Sequence, residues 1–121
     1  MGTRVLIDSN IVIDVLAGVP QSLSEVRRYK DRAISIVTWI EVVAGLREEE
    51  LELREFLASN FPVVALSMEI AEEATVLRRT TRLKLPDAVI LATAHIEGRV
   101  LLTRNTRDFS AGGSVQIPYE L

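Results

Sequence analysis

Five residues of this sequence carry oxygen-bearing side chains at places where chemistry could gather: Asp8, Glu41, Asp87, Asn105 and Asp108. Asp8 directly follows the apolar run Val5-Leu6-Ile7. Glu41 lies about one helical turn beyond a second apolar run, residues 33–37. Asp87 falls in the first turn of a helix opened by Leu85-Pro86, and Asn105 and Asp108 lie just past a further run, residues 99–103. If those runs are strands of one parallel sheet, these groups meet at its carboxyl edge, where the sites of open α/β sheets lie. Carboxylates gathered without basic partners repel one another and raise one another's pKa. A hard divalent cation is the natural compensation, and Mg²⁺ takes octahedral oxygen coordination while keeping several waters.

Each acid also has a purely structural use. Asp8 can cap the helix that follows it. Thr38-Trp39-Ile40-Glu41 matches the capping box, in which a Glu reaches back to the cap residue's N–H. The positive helix terminus favours an acid at Asp87, and Asp108 can complete a turn over Asn105-Thr106-Arg107-Asp108. Spacing alone leaves both readings open. The chain has no cysteine and one histidine, His95. Thiolate chemistry, thiolate zinc sites, iron–sulfur clusters and a His-rich metal cage are therefore excluded. A lone His also argues against a Ser-His-Asp triad; eight residues after Asp87, His95 reads as a packing or hydrogen-bonding residue. Trp39, two positions before Glu41, points about 200° away from it on a helix and reads as core or interface.

The elements that would position these residues alternate. Strands are expected at 4–7, 33–37, 62–66 and 99–103, with a fifth at 114–117 on an edge. Asp8-Ser9-Asn10 opens a first helix, stopped by Gly18-Val19-Pro20, and residues 21–31 form a second. A helix starting at Thr38 places Trp39, Val42, Val43 and Leu46 on one stripe, and helical structure continues to about residue 59. Ser67 caps the next helix. The one after it is apolar nearly all round over 88–96, so deep burial is expected, and Gly98 ends it. This order implies an α/β fold: three layers, α/β/α, around a central, mainly parallel sheet of four to five strands. The 121 residues make one domain, 1–121. A hydrophobic fraction of 48% and a charged fraction of 26% are ordinary for a globular protein. The 14 basic residues, all Arg except Lys30 and Lys84, are outnumbered by 17 acids, for a net charge of −3. That balance argues against tight, non-specific nucleic-acid binding by a basic surface. No run reaches the ~18 apolar residues of a membrane span. The absence of cysteine fits a reducing, cytoplasmic setting.

Four stretches together resemble the PIN-domain nucleases, above all the short toxins of VapBC-type toxin–antitoxin pairs. They are Val5-Leu6-Ile7-Asp8-Ser9-Asn10, the stretch from Ile40-Glu41 to Gly45-Leu46, Leu85-Pro86-Asp87-Ala88 entering its apolar helix, and Thr103-Arg104-Asn105-Thr106-Arg107-Asp108-Phe109. The resemblance implies a PIN-like fold and an Mg²⁺- or Mn²⁺-dependent ribonuclease that cleaves an RNA substrate and is held in check by a cognate antitoxin protein. It implies that Asp8, Glu41 and Asp87 hold the metal, that Ser9 and Asn10 brace Asp8, and that Thr103 adds a hydroxyl to the network. Where many relatives carry a fourth acid, this chain has Asn105, and Asp108 can supply the missing charge. Arg104 and Arg107 are candidates for contacts with RNA phosphate or antitoxin carboxylate. A homodimer is also implied. In-line attack by water would leave a 5′-phosphate and a 3′-hydroxyl. Two other classes compete: a PIN-fold binding protein without catalysis, favoured by Asn105, and another acid-cluster phosphohydrolase. A haloacid dehalogenase-type phosphatase needs Asp-x-Asp after its first strand, where this chain has Asn10. A response-regulator receiver needs a Lys at a late strand end, and neither Lys30 nor Lys84 stands there.

Overall fold

The computed structural model describes residues 2–121. The chain begins with β1 (Val5–Ile7), α1 (Ser9–Leu16), α2 (Pro20–Arg27), β2 (Arg32–Ser35) and α3 (Ile36–Ala44). It continues with α4 (Leu51–Asn60), β3 (Val63–Val64), α5 (Met68–Thr80) and α6 (Leu85–Glu97), and closes with β4 (Val100–Leu102) and β5 (Val115–Gln116). The strands form one sheet in the order β3-β2-β1-β4-β5. Every pairing is parallel. The sheet runs outward from β1 in both directions, so the order reverses between β1 and β4.

Alternation of side chains along each strand divides the core. Leu6, Ala33 and Leu101 pack with α5 and α6, including Ile70, Leu77, Ile90 and Leu91. Val5, Ile7, Ile34 and Leu102 face the other way, onto Ile11, Val12, Val42, Leu57 and Phe61. The expected three layers follow from this two-sided burial. The apolar helix α6 is buried from Ala88 to Ala94, but burial stops there, short of the expected residue 96. His95 instead sits between two partners, its Nδ1 2.6 Å from Glu73 Oε2 and its Nε2 3.0 Å from Ser114 Oγ. The single histidine thus ties α5 and α6 to the start of β5. Gly98 follows at φ 65, a left-handed turn that only glycine adopts without strain, and ends α6. Among the described residues no helix is long and apolar enough to cross a membrane.

The second strand was expected to run to residue 37 and instead ends at Ser35. Ile34, Ile36 and Val37 are strong strand formers, but the Ser35 hydroxyl accepts the N–H of Thr38 at 3.1 Å and caps a helix that starts at Ile36. Thr38 is therefore inside the helix, fully buried, and not its cap. The capping box at Thr38–Glu41 does not form, which frees the Glu41 carboxylate. β3 and β5 are also shorter than expected. Each pairs on one side only, and short edge strands limit unpaired backbone. Replacing Ser35 with Ala should cost about 0.5–2 kcal/mol in urea unfolding, because it orphans a buried N–H; a loss near zero would show that Ser35 does not cap α3.

Candidate active site

The reversal of strand order between β1 and β4 opens a crevice at the carboxyl ends of those strands, where doubly wound sheets place their ligands. Asp8 stands there. Its N–H donates to Leu102 O at 2.9 Å, extending the β1–β4 ladder by one step. Its residue surface is 4% exposed, so its carboxylate must find donors within the protein. Ser9 N donates to Oδ1 at 2.8 Å and the Thr103 hydroxyl donates to Oδ2 at 2.6 Å. Asp8 is thus the cap of α1 and a member of the acidic cluster at once. Burial pushes its pKa up, the Thr103 and Ser9 bonds oppose that, and the charges of Glu41 and Asp108 add to the rise.

Glu41 arrives from α3 and accepts the Ser9 hydroxyl at 2.6 Å, while Ser9 Oγ lies 3.1 Å from Thr38 Oγ1. Asp87 enters from the first turn of α6. Burial, and then the charges of Asp8, Asp108 and Glu41, push its pKa up to about 6. Four carboxylates from four segments therefore share one electrostatic field. Asn105 and Asp108 hold each other: Asn105 Nδ2 donates to Asp108 Oδ2 at 2.9 Å, and Asp108 N donates to Asn105 Oδ1 at 3.2 Å. Asp108 both closes this turn and adds charge beside Asp87.

Thr103 is the hub. Besides donating to Asp8, its hydroxyl accepts Asn105 N at 3.0 Å and lies 3.5 Å from Asn10 Nδ2. Asn10 Oδ1 accepts Arg104 N at 3.1 Å. Asn10 thus fastens the segment after β4, whereas Ser9 touches both Asp8 and Glu41.

One residue of the network escaped sequence reasoning. Asp14, 6% exposed on α1, receives a two-pronged ion pair from Arg104, with Nε–Oδ2 at 2.7 Å and Nη2–Oδ1 at 3.0 Å. The Tyr119 hydroxyl donates to the same Oδ2 at 2.7 Å. Burial and Asp14 hold the Tyr119 hydroxyl well above the usual phenol range. The signal was available: a charge between Val12 and Val15 on an apolar helix face demands a partner. Arg104, read from the sequence as a contact for RNA or antitoxin, spends its fork on Asp14. Arg107 stays exposed.

Among the described residues, no three His, Cys, Asp or Glu side chains stand close enough together to hold an ion as they are. The donor set nevertheless fits a hard cation. Its atoms are carboxylate oxygens, and after burial the charges of Asp8, Asp108 and Glu41 all raise the Asp87 pKa, with no cation beside them to offset it.

The PIN-domain family model matches residues 5–113. The chain belongs to the PIN-domain family. Among its relatives is Ribonuclease VapC19 of Mycobacterium tuberculosis, 32% identical over 94% of this chain and 98% of that protein. Ribonuclease VapC10 of the same species is 29% identical over 95% of this chain and 92% of its own. A toxin–antitoxin complex from Klebsiella pneumoniae contains a chain that superposes with a TM-score of 0.88 at 40% identity, covering 98% of this chain and all (100%) of that one. FitAcB from Neisseria gonorrhoeae, at 21% identity and a TM-score of 0.73 over 98% of this chain and 100% of its own, shares the fold. In this PIN domain the four stretches that suggested the family all contribute to the crevice or its walls.

Two measurements test this geometry. Asp87 is neutral in both folded and unfolded chains below its ordinary pKa of 3.8, and in the folded chain it resists ionising until about pH 6. Stability should therefore fall as pH rises across that window in metal-free buffer, and Asp87→Asn should flatten the fall; parallel melting curves for the two proteins would refute the shift. Arg104→Ala should cost about 1–3 kcal/mol by leaving Asp14 short of its fork, whereas Arg107→Ala should stay within about 0.5 kcal/mol of wild type. Equal losses in urea unfolding would refute the assignment of the two arginines.

Proposed function

We propose that this PIN domain is a metal-dependent endoribonuclease and the toxin of a toxin–antitoxin pair, acting in the cytoplasm. The observation that carries this reading is the shared field of Asp8, Glu41, Asp87 and Asp108 at the β1/β4 crevice. The relatives named ribonucleases and the similar chain from a toxin–antitoxin complex support it.

Asp8, Glu41 and Asp87 are the residues that would hold Mg²⁺ or Mn²⁺, with Asp108 at the edge. Bound there, the ion supplies Lewis acidity toward water and toward the scissile phosphate. The protein's own share is preorganisation. Thr103 and Ser9 N fix both oxygens of Asp8, and the Ser9 hydroxyl fixes one oxygen of Glu41. Asn105 holds Asp108 by donating to a carboxylate that otherwise faces other carboxylates. The imidazole of His95 lies about 12 Å along the α6 axis from Asp87 and is occupied by Glu73 and Ser114. A route through a histidine base and the 2′-hydroxyl is therefore unsupported by this site, and water attack leaving a 5′-phosphate and a 3′-hydroxyl fits it. The partners of this reading are RNA, an antitoxin protein and a second copy of the chain. Leu66, Met68 and Leu85 are more than half exposed beside a cleft of about 440 Å³ on α5 and α6, and such a face suits a homodimer. Sedimentation should give a dimer at tens of micromolar protein, and a monomer there would count against that part.

Cleavage of a mixed RNA pool across an Mg²⁺ titration tests the reading. Asp8→Asn and Asp87→Asn should lower cleavage by more than ~100-fold and remove the Mg²⁺-dependent rise in Tm. Wild-type Mg²⁺ shifts in both variants would refute a metal site on these acids. Asp108→Ala should cost more activity than Asn105→Ala. Asn105→Asp would set a second carboxylate against Asp108, so it should melt lower than wild type in chelator and gain more from Mg²⁺. Unchanged Mg²⁺ dependence in both Asp108→Ala and Asn105→Asp would exclude this segment from the metal's surroundings.

A further inference from the structure

Asp108 has two sides. One faces Asp87, and the other walls a separate cleft of about 280 Å³ between residues 81–83 and the segment 107–110. Leu83, Leu91 and Phe109 line its apolar part, and Arg82 and Arg107 stand beside them. Both arginines are exposed, and among the described residues neither has a carboxylate within ion-pair distance. The surrounding charge is also lopsided. Residues 74–86 include Arg78, Arg79, Arg82 and Lys84 and no acid, although the chain as a whole carries a net charge of −3. Of the clustered carboxylates only Asp108 lines this cleft, and neither arginine is among the charges that act on Asp8 or Asp87, so both guanidinium groups are left for an anion that runs from the acids into the cleft. A polynucleotide does so. Its scissile phosphate belongs at the acids, with a cation, and the adjacent phosphate must be met by the protein's own positive charge.

We propose that this cleft is the subsite for the nucleotide next to the scissile phosphate, with Arg82 and Arg107 on its phosphate and Leu83, Leu91 and Phe109 under its base. At about 280 Å³ the cleft lies just below the roughly 300–1,000 Å³ of ligand sites, a size that suits one base and not a duplex. A base enters such a cleft only when it is out of a duplex stack. The inference rests on the ribonuclease reading above and adds to it the residues of this chain that grip the substrate beyond the metal.

Its test separates the two. Wild-type protein in chelator, where no cleavage occurs, is titrated with a short single-stranded oligoribonucleotide over a range of salt. Arg82→Ala and Arg107→Ala should each lower the slope of log K against log salt by about 0.7, the counterion share of one phosphate contact on a single strand. Arg→Lys at either position should keep the slope. With Mg²⁺ present, the two Ala variants should raise KM and leave kcat nearly unchanged. An abasic residue placed next to the cut should raise KM in the same way, and annealing the complementary strand should suppress cleavage. Melting curves confirm that the exposed substitutions leave the fold intact. Wild-type slope and KM in both Ala variants would overturn the subsite while leaving the nuclease reading standing. Failure of the wild-type protein to cleave any RNA would overturn the nuclease reading, and the chelator titration would still decide whether this cleft binds a single strand.

Discussion

A carboxylate buried at the end of a central strand has to be satisfied by donors within reach, and in this fold Asp8 is that carboxylate. It leaves β1 where water hardly reaches it, and no cationic side chain comes to it. Two donors serve it: the N–H of the next residue, which begins α1, and the Thr103 hydroxyl, from the end of the neighbouring strand. The first bond makes Asp8 a helix cap. The second ties β1 to β4 across the reversal of strand order. Both oxygens are thereby fixed in direction, which a free carboxylate on a loop would not be. The rest of the site is arranged around that fixed group.

The bracing spreads outward through polar contacts that each answer a local demand. Thr103 gives its proton to Asp8 and its lone pairs to Asn105 N and, at longer range, to the Asn10 amide. Asn10 turns its carbonyl to Arg104 N. Arg104 then crosses to Asp14 on α1, and Tyr119 closes the same carboxylate from near the carboxyl end of the chain. The segment from Thr103 to Asp108 is held from three directions although it contains no regular element. A shift of ~1 Å there is enough to cost catalysis two orders of magnitude in a positioned site. Asp14, Arg104 and Tyr119 touch none of the clustered carboxylates, yet they hold the strand of chain on which Asn105 and Asp108 ride.

The fold was legible where hydrophobic pattern decides it. β1, β4 and the buried part of α6 are apolar on all sides, and the structure puts them at the centre. The gathering of Asp8 and Glu41 was legible because they follow parallel strands β1 and β2, whereas Asp87 reaches the same field from the first turn of α6, which follows a helix and not a strand. What the sequence hid was set by side-chain hydrogen bonds. Ser35 turns a run of β-branched residues into the start of a helix because its hydroxyl reaches Thr38 N, and no propensity scale carries that information. The same event releases Glu41 from a capping box and gives it to Ser9. The role of Arg104 was hidden for a related reason: an arginine after a strand looks free until the buried acid across the crevice is known. Asp14 was the clue, since an acid inside an apolar stripe is costly alone.

Asn105 shows how the same reasoning reaches the electrostatics. A fourth acid at this position would lie 2.9 Å from an oxygen of Asp108, which its amide nitrogen now contacts as a donor. Two carboxylates at that separation cannot both be ionised without a cation or a shared proton. The amide removes the conflict in both directions, donating to the Asp108 carboxylate and accepting the Asp108 N–H. The negative charge is thereby carried three residues later, on a side chain that still acts on Asp87 and Asp8. An amide at 105 and an acid at 108 are one device: the turn is held without metal, and the field that would draw a cation is kept. Substituting either residue alone changes both properties, because the hydrogen bonds that shape the turn are made by the same atoms that set its charge.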